Sequence, residues 1–332
     1  MTQPVRRPSA RVVIVNWRQA ELTIRAARSI REQLGDGDGL VVVDNASGDG
    51  SAERLRREGL TVVESSENRG FGAGVNLGAR GMEEEVLVLL NNDAVAEPGF
   101  LEALLAALSA PPSAVAPAAA TARILLAGRW KPAAPGQPDA IVSPRTGRWT
   151  RLDDQAAARG EGEVLVNSTG NLVDASGNGY DRDWLVPADR EHSPSEVFGL
   201  CGGACAIRRE AWQALGGFRE DLFMYYEDTD LSWRLRERGW RVLYVREAVA
   251  RHEHASSSGT GSPMFIRVNA RNRILTAAAH SPAPVVMQAL ARTLVRAVRG
   301  PQRGPVMTGL AQAVLGLPRE LRQRARGSSS SQ

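Results

Sequence analysis

The segment Val86-Leu87-Val88-Leu89-Leu90-Asn91-Asn92-Asp93 passes directly from five apolar residues to three polar ones. A short apolar run of this kind is typical of a strand buried on both faces of a parallel sheet. Two earlier runs end in the same manner, since residues 12–15 lead into Asn16 and residues 41–43 lead into Asp44. An Asx turn leaving each strand would explain any one of these ends. Together they favour a ligand site, because open α/β sheets bind ligands at the carboxyl ends of their strands.

A second acidic segment lies at Tyr226-Glu227-Asp228-Thr229-Asp230, directly ahead of a helical pattern. Carboxylates placed so close together raise one another's pKa, which a general base or a metal site can use. The alternative is an acidic first turn of a helix, where Asp and Glu are favoured by the helix dipole. The polar strand ends elsewhere in the chain make the catalytic interpretation the stronger one.

In chain order, these motifs resemble the family 2 glycosyltransferases with a GT-A fold, and they look closest to the bacterial rhamnosyltransferase-like branch. The resemblance covers about residues 10–275 and rests on five segments: residues 12–17, 43–47, 67–72, 90–93 and 226–230. It implies an α/β fold, the GT-A fold of nucleotide-diphospho-sugar transferases, with a mostly parallel central sheet flanked by helices. A C-terminal helical extension follows.

The resemblance also implies a donor site for a nucleotide-diphospho-sugar. Asp44 matches the carboxylate that holds the base or ribose, and Arg69 and Arg271 match basic residues near the diphosphate. The full set of predicted nucleotide-binding residues is Asn16, Asp44, Asn68, Arg69, Gly72, Asn92 and Arg271.

A divalent metal, Mg²⁺ or Mn²⁺, is the implied cofactor. Asp93 with Asn91 matches the metal-binding Asp-x-Asp motif in its Asn-x-Asp form, and His252 matches a histidine that completes the site. A hard cation with oxygen ligands would neutralise the charge of the leaving diphosphate. The neutral Asn91 removes one charge from this site, which weakens the expected dependence on metal.

The implied chemistry is sugar transfer to a glycan or a lipid-linked acceptor. Asp228 matches the base that deprotonates the acceptor hydroxyl, and its neighbour Glu227 is the other catalytic candidate. One base without a second, covalent carboxylate predicts single displacement with inversion. Aromatic rings stack on sugar faces and glycines allow close approach. The predicted acceptor residues are Trp184, Gly202, Gly203, Asp230 and Trp233.

Two further motifs suggest other ligands without supporting them. The glycine-rich residues 68–75 lack the third glycine of a dinucleotide fingerprint, because Val75 occupies its place. Cys201 and Cys205 lack the ligand spacing of a zinc site with His252 and His254. A disulfide between the two cysteines is not expected either, since no secretory signal is recognisable.

Composition agrees with a folded enzyme. The chain has 332 residues, 43% of them apolar and 23% charged, which excludes a disordered or fibrous protein. No apolar run approaches the ~18 residues of a spanning helix. The predicted organisation is a disordered lead at 1–10, a catalytic domain at 11–262 and a helical extension at 263–332. Within the catalytic domain, 11–109 is the nucleotide half and 110–262 is the acceptor half, whose residues 110–195 are predicted to form an insertion. Residues 256–262 are expected to form a mobile loop.

Positive charge is concentrated at the C-terminal end. Residues 285–332 hold eight arginines and one acidic residue, whereas the whole chain has a net charge of only +4. An apolar stripe at helical spacing runs beside them, formed by Val306, Leu310, Val314, Leu317 and Leu321. This pattern predicts peripheral contact with an anionic membrane, and hence a cytoplasmic enzyme on the inner face of the cell membrane. Packing on the catalytic domain, or on a second subunit in a homodimer, is an equal alternative. Nucleic acid is not expected, because stacking aromatic residues are missing from the tail.

Two other classes of protein stay open on the sequence alone. A nucleotidyl enzyme would share the parallel sheet and the acidic site, but it would carry a glycine-rich loop after the first strand, where Asn16-Trp17-Arg18-Gln19 stands instead. An inactive sugar-binding protein would not need Asp44, Asp93 and Asp228 together.

Overall fold

The structure is a computed structural model that describes residues 6–110, 116–137, 139–253 and 261–329, with side chains to residue 325. The prediction of a mobile loop at 256–262 falls mostly on residues 254–260, which lie outside the described residues together with His254. Residues 1–5 lie outside them too. The rest of the predicted disordered lead belongs to the fold, because Arg7 pairs with Asp38 at 2.8 Å and the first strand begins at Ala10.

The strands are short and lie mostly in one sheet. They are β1 Ala10–Asn16, β2 Gly39–Asp44, β3 Thr61–Glu64, β4 Val86–Leu90, β5 Ala94–Ala96, β6 Pro117–Leu126, β7 Trp130–Pro132, β8 Ile141–Ser143, β9 Gly147–Arg151, β10 Val166–Ser168, β11 Asn171–Val173, β12 Gly179–Asp181, β13 Glu196–Val197, β14 Ala204–Arg208 and β15 Arg241–His252.

The helices cover both faces of this sheet and form the C-terminal end. They are α1 Ala20–Arg31, α2 Ser51–Arg57, α3 Phe71–Gly78, α4 Phe100–Ala107, α5 Asp154–Ala158, α6 Arg209–Leu215, α7 Glu227–Glu237, α8 Pro263–His280, α9 Ala283–Arg299 and α10 Arg303–Ser329.

The central sheet has ten strands, and eight of them follow the order β13-β15-β6-β14-β4-β1-β2-β3. The strands β4, β1, β2 and β3 are parallel, whereas β14 is antiparallel to both β4 and β6. The register sets Asn16 beside Asp44 and Ala204 beside Leu90. The polar strand ends therefore meet at one edge, as the sequence predicts.

Two apolar cores occupy the two faces of the sheet. One is built around α4, whose Phe100, Leu101, Leu104 and Leu105 are fully buried. The other includes Trp212 and Phe218 at and beyond α6. Helical spacing predicts core positions for Leu101, Leu104 and Leu105, and for Trp212 and Phe218, and the structure buries all five.

The C-terminal helices pack on one another and on the catalytic part. The predicted apolar stripe divides between two environments, because α10 turns only part of it inward. Val306 is 2% exposed, and Leu310 and Leu317 pack on a core formed with α8 and α9. Val314 and Leu321 are 50% and 52% exposed. The packing alternative therefore holds for one side of the stripe, and the other side faces outward.

Candidate active site

A pocket of about 520 Å³ opens at the carboxyl edge of the parallel strands. Its size lies in the range of small-ligand sites. Polar groups from six parts of the chain line it, namely the strand ends, the loop before α3, the 171–181 segment, the 201–203 turn, the start of α7 with the residues before it, and α8. These polar lining residues are Asn45, Asn68, Asn91, Asn92, Asp93, Asn171, Tyr180, Asp181, Cys201, Tyr225, Tyr226, Glu227, Asp228, Thr229, His252 and Asn269.

Two predicted nucleotide-binding residues lie beneath the pocket floor. Asp44 accepts hydrogen bonds from Asn16 Nδ2 at 2.7 Å and from the Ser47 amide at 2.9 Å. Both Asp44 and Asn16 are buried, and neither lines the pocket. Their role in this structure is to hold the turn after β2, while the adjacent Trp17 and Asn45 form the surface that a ligand would meet.

Asp93 and His252 form a compact corner of the pocket. His252 Nε2 lies 2.9 Å from Asp93 Oδ1, and its Nδ1 lies 2.7 Å from Asn167 Oδ1. When Nδ1 donates its hydrogen to Asn167, the neutral imidazole presents a lone pair on Nε2 to the Asp93 carboxylate. Both groups are then electron-pair donors, and a cation bound by His252 Nε2 and Asp93 Oδ1 would be a partner for each. Asn91 Nδ2 is 3.4 Å from the same Nε2. The three predicted metal residues are thus brought together.

The charge of the pocket also fits a cation. Asp93, Asp181, Glu227 and Asp228 line it, and within the described ranges no arginine or lysine does. Across the same ranges no group of three His, Cys, Asp or Glu side chains is arranged as a full metal cage. This combination suits Mg²⁺ or Mn²⁺, which take one or two protein carboxylates and complete their shell with water and substrate phosphates.

The two arginines predicted near the diphosphate point elsewhere. Arg69 pairs with Glu220 at 2.6 Å, and its side chain is 54% exposed. Arg271 donates to the carbonyl oxygens of Asp221 and Leu222. Gly72 also misses the pocket, since it packs within α3 against Phe218. None of these three residues lines the pocket, because nearby protein acceptors and packing partners hold them, and their contact with a nucleotide stays a prediction.

Asp228 is held at the start of α7 by backbone amides. Its Oδ2 accepts from the Gly202 amide at 3.0 Å, and its Oδ1 accepts from the Thr229 amide at 2.6 Å. A Cβ added at Gly202 would lie 3.4 Å from Asp228 Cβ, so the turn packs directly against the carboxylate. The carboxylate is therefore fixed in position and still lines the pocket.

Glu227 is a buried carboxyl whose pKa lies well above the usual value for glutamate. Burial, and then the neighbouring charge of Asp228, raise the pKa of Glu227 to about 8. Its Oε2 is buried without a hydrogen-bond partner among the described residues. Glu227 is thus a neutral acid at pH 7, which suits it as a hydrogen-bond donor or proton holder and not as the base.

The segment before α7 is strained. Phe223, Tyr225 and Tyr226 have φ values of 67°, 66° and 73°, in the left-handed region that favours glycine. Asn272 on α8 holds this segment, with its Nδ2 at 2.7–3.0 Å from the carbonyl oxygens of Leu222, Met224 and Tyr225. Strain of this kind is common at functional sites, where the surrounding structure imposes it.

The predicted acceptor residues divide into two groups. Gly202 and Gly203 line the pocket. Asp230 is fully buried and binds Arg234 at 2.7 Å and His280 at 3.0 Å. Trp233 stacks on the His280 ring at 5.8 Å between centroids. Trp184 packs in a small core of the insertion. The last three predictions are corrected, since these side chains hold elements together away from the pocket.

Several pocket residues escaped the sequence-based predictions. Asp181 and Tyr180 come from β12, and Trp17, which is 41% exposed, follows β1. Phe265 and Asn269 reach the pocket from α8. Trp17 carried a detectable signal, because an exposed aromatic residue directly after a buried strand is unusual. Asp181 had none, since no apolar run precedes it.

Comparison with known proteins places the two parts of the chain in glycosyltransferase families. Residues 11–155 match the family described as Glycosyl transferase family 2, and residues 160–296 match Glycosyl transferase family group 2. Two curated relatives, from Mycobacterium tuberculosis strains CDC 1551 / Oshkosh and ATCC 25618 / H37Rv, are N-acetylglucosaminyl-diphospho-decaprenol L-rhamnosyltransferases, 40% identical over 80 residues. The match spans 24% of this chain and 24% of each relative.

Solved structures share the fold along almost the whole chain. The mannosyltransferase PcManGT from Pyrobaculum calidifontis, in complex with GDP-Man and Mn²⁺, aligns with a TM-score of 0.53 and 19% identity, covering 98% of this chain and 81% of its own. GalNAc-T7 with UDP, GalNAc and Mn²⁺ aligns with a TM-score of 0.50 and 15% identity, covering 97% of this chain and 58% of its own. The predicted GT-A fold is confirmed.

Proposed function

Because the chain belongs to the family 2 glycosyltransferases, we propose that it moves a sugar from a nucleoside-diphosphate donor to a hydroxyl of a glycan or lipid-linked acceptor, with inversion. The observation that carries this proposal is the separation of two acidic groups in one pocket. Asp93 and His252 form a cation-binding corner, and Asp228 is a second carboxylate held by backbone amides. The short match to the rhamnosyltransferases supports L-rhamnose as the sugar and a polyprenyl diphosphate-linked glycan as the acceptor.

Each residue has a distinct task in this reaction. Asp93, His252 and Asn91 would hold the divalent ion, whose chemistry is to neutralise the charge that develops on the leaving diphosphate. Asp228 accepts the proton of the acceptor hydroxyl, which is worth typically ~10²–10⁴-fold in rate. Its fixed position matters because the proton must be taken as the oxygen attacks. The neutral Glu227 donates a hydrogen bond or holds a proton beside it.

The test is Asp228→Asn, measured with a panel of nucleotide-sugars in Mn²⁺. We expect turnover to fall by ~10²-fold or more while donor affinity, measured by calorimetry, changes little, because the base acts on the acceptor. Asp189→Asn is the matched control, since Asp189 is 71% exposed on the insertion. An equal loss of donor affinity and turnover in Asp228→Asn would show that Asp228 is not the base.

The outer surface of helices α9 and α10 supports a location at a membrane. The outer sides of α9 and α10 carry eight of the eleven exposed large apolar residues in the described chain, namely Met287, Leu294, Val295, Val298, Met307, Val314, Leu315 and Leu321. Seven exposed arginines lie beside them: Arg292, Arg296, Arg299, Arg303, Arg319, Arg322 and Arg324. The one acidic residue of these helices, Glu320, is 2% exposed and pairs with Arg219 at 2.7 Å.

We propose that this basic apolar surface lies on the anionic inner face of the cell membrane and brings a cytoplasmic enzyme to a lipid-linked acceptor. Apolar side chains and cations together match lipid headgroups and the acyl boundary beneath them. A homodimer through the same surface would bring like charges together, which disfavours it. No helix within the described residues is both long enough and apolar enough to cross a bilayer.

Vesicle sedimentation tests this location. We expect binding to vesicles with anionic lipid at low salt, weaker binding at high salt and none to neutral vesicles. The triple variant Arg292→Gln, Arg296→Gln and Arg299→Gln should bind ~100-fold more weakly, since each arginine contributes ~1 kcal/mol. A control pair, Arg159→Gln with Arg190→Gln, changes side chains that are 60% and 65% exposed on the insertion. Unaltered binding by the triple variant would exclude this surface.

A further inference from the structure

Strand β12 brings a carboxylate into the pocket from the insertion. It pairs with β11, and Asp181 lies opposite Asn171 in that register. Gly179 on the same strand approaches α7 so closely that a Cβ there would lie 3.0 Å from Thr229 Oγ1. The Tyr226 hydroxyl donates a hydrogen bond of 3.2 Å to Oδ1 of Asn178, the residue directly before Gly179. The strand is therefore seated directly on the segment that carries the base.

Asp181 lines the same pocket as Asp228, Asp93 and His252. Burial, together with the charge of Asp228, raises its pKa to about 6, while hydrogen bonds from Ser168 and Cys201 and the charge of His252 act in the opposite direction. Within the described part of the chain, no arginine or lysine forms an ion pair with it. Asp181 is thus close enough to both Asp228 and His252 for their charges to act on its pKa.

Displacement at a sugar carbon needs the attacking oxygen, the carbon and the leaving oxygen in line. The proposed function puts the acceptor oxygen at Asp228 and the diphosphate at Asp93 and His252. The transferred sugar then occupies the space between them, which Asp181 borders. We infer that Asp181 accepts hydrogen bonds from hydroxyl groups of the transferred sugar and so helps to select the donor.

This assignment rests on the proposed function and adds a role for the insertion. A carboxylate accepts hydrogen bonds only from hydroxyls that point toward it, so sugars that differ at one carbon are distinguished. The nucleotide part of the donor lies on the other side of the diphosphate and makes no contact with Asp181. Donor selection would therefore reside in a three-residue strand, Gly179–Asp181, outside the parallel half of the sheet.

Calorimetric binding separates the sugar from the nucleotide. The ligands are GDP-mannose, UDP-N-acetylgalactosamine and a nucleoside-diphosphate L-rhamnose, each beside its bare nucleoside diphosphate, all with Mn²⁺. We expect Asp181→Asn to weaken binding of the preferred nucleotide-sugar by ~10-fold or more and to leave the bare diphosphate unchanged, because a hydrogen bond to a charged acceptor is lost. Asp181→Glu keeps the charge but moves it, and it should change the ranking of the sugars. Asp189→Asn is the control.

The outcomes separate this assignment from the function on which it rests. If wild type binds none of the nucleotide-sugars, the proposed function fails and the assignment with it. If wild type binds one of them, and the two Asp181 variants bind it as wild type does or lose affinity for sugar and bare diphosphate equally, only the role of Asp181 is wrong. Thermal unfolding of each variant shows whether an altered affinity reflects a folded protein.

Discussion

Gly70 and Phe223 meet at a contact that leaves no room for a side chain. A Cβ on Gly70 would lie 1.8 Å from the Phe223 carbonyl oxygen, and the φ of Gly70 is +88°. The Phe71 amide donates to this same carbonyl oxygen at 2.8 Å. The glycine-rich turn therefore serves the strained segment before the base, and not a dinucleotide.

Gly70→Ala should consequently destabilise the protein by more than ~3 kcal/mol, since it adds an overlap to an unfavourable backbone conformation. Gly48→Ala is the matched control, because Gly48 has a φ of +64° and a Cβ added there would have nothing within 4 Å. It should cost only ~1 kcal/mol. Urea unfolding measures both changes, and equal values would mean that the contact at Phe223 relaxes freely.

The raised pKa of Glu227 predicts that the free energy of unfolding depends on pH. Its pKa in the folded protein is raised to about 8 by burial and by Asp228, whereas an unfolded glutamate has a pKa of ~4.3. The folded state therefore binds more protons, and the free energy of unfolding falls as pH rises between these two values. Glu227→Gln removes this slope, so its stability relative to wild type should be greater at pH 9 than at pH 6. Chemical unfolding at both pH values checks the sign.

Helix α8 acts on the site as an element, because one face of it holds the segment that leads into α7. Asn272 is fully buried and contacts three carbonyl oxygens there, and Arg271 contacts two. At the far end of α8, His280 binds Asp230 in α7 at 3.0 Å. The helix thus fixes both the approach to the base and the helix that presents it.

Asn272→Ala should lower kcat by ~10- to 100-fold with little change in donor affinity, because a displaced base is poorly aligned for proton transfer. Gln323→Ala, an exposed amide on α10, is the control. Steady-state kinetics with varied donor measure the effect. A change confined to KM for the donor would show that Asn272 supports the nucleotide side instead.

Across the whole molecule, the predictions succeeded where a pattern was local and failed where a partner was distant. The strands and their polar ends follow from short apolar runs, whereas the grouping of Asp93, Asn91 and His252 was implied by the family resemblance, and the structure places these three side chains together. Arg69, Arg271 and Asp230 find acceptors or counter-ions contributed by other segments, at Glu220, Leu222 and His280. Neither the residue types nor their spacing in the sequence predicts such a pairing. Asp181 was missed because its strand has only three residues.

Glu320 provides a test at this scale. Its carboxylate holds the buried Arg219 through two hydrogen bonds of 2.7 and 2.9 Å, across 101 residues of sequence. Glu320→Gln removes one of the three carboxylates that pair with the partly buried guanidinium, which should cost ~2 kcal/mol because hydrogen bonds to a charged group are weakened. The exposed Glu210→Gln should cost almost nothing. Thermal unfolding compares the two, and similar melting temperatures would mean that Asp221 and Asp230 alone neutralise Arg219.

Helices α8 and α10 both bind residues in the segment that precedes Asp228, and this has a consequence during translation. Once the ribosome has added His252 and Asn269, every residue proposed to contact donor or acceptor has been synthesised. Glu320 has not yet been added at that point. At ~5–20 residues per second, roughly 5–20 s separate the synthesis of Asp228 from that of Glu320. A nascent chain, or a product of premature termination in this interval, would carry all the site residues without one of the three carboxylates that pair with Arg219. The contacts that support the site are therefore completed only after the site residues themselves have been synthesised.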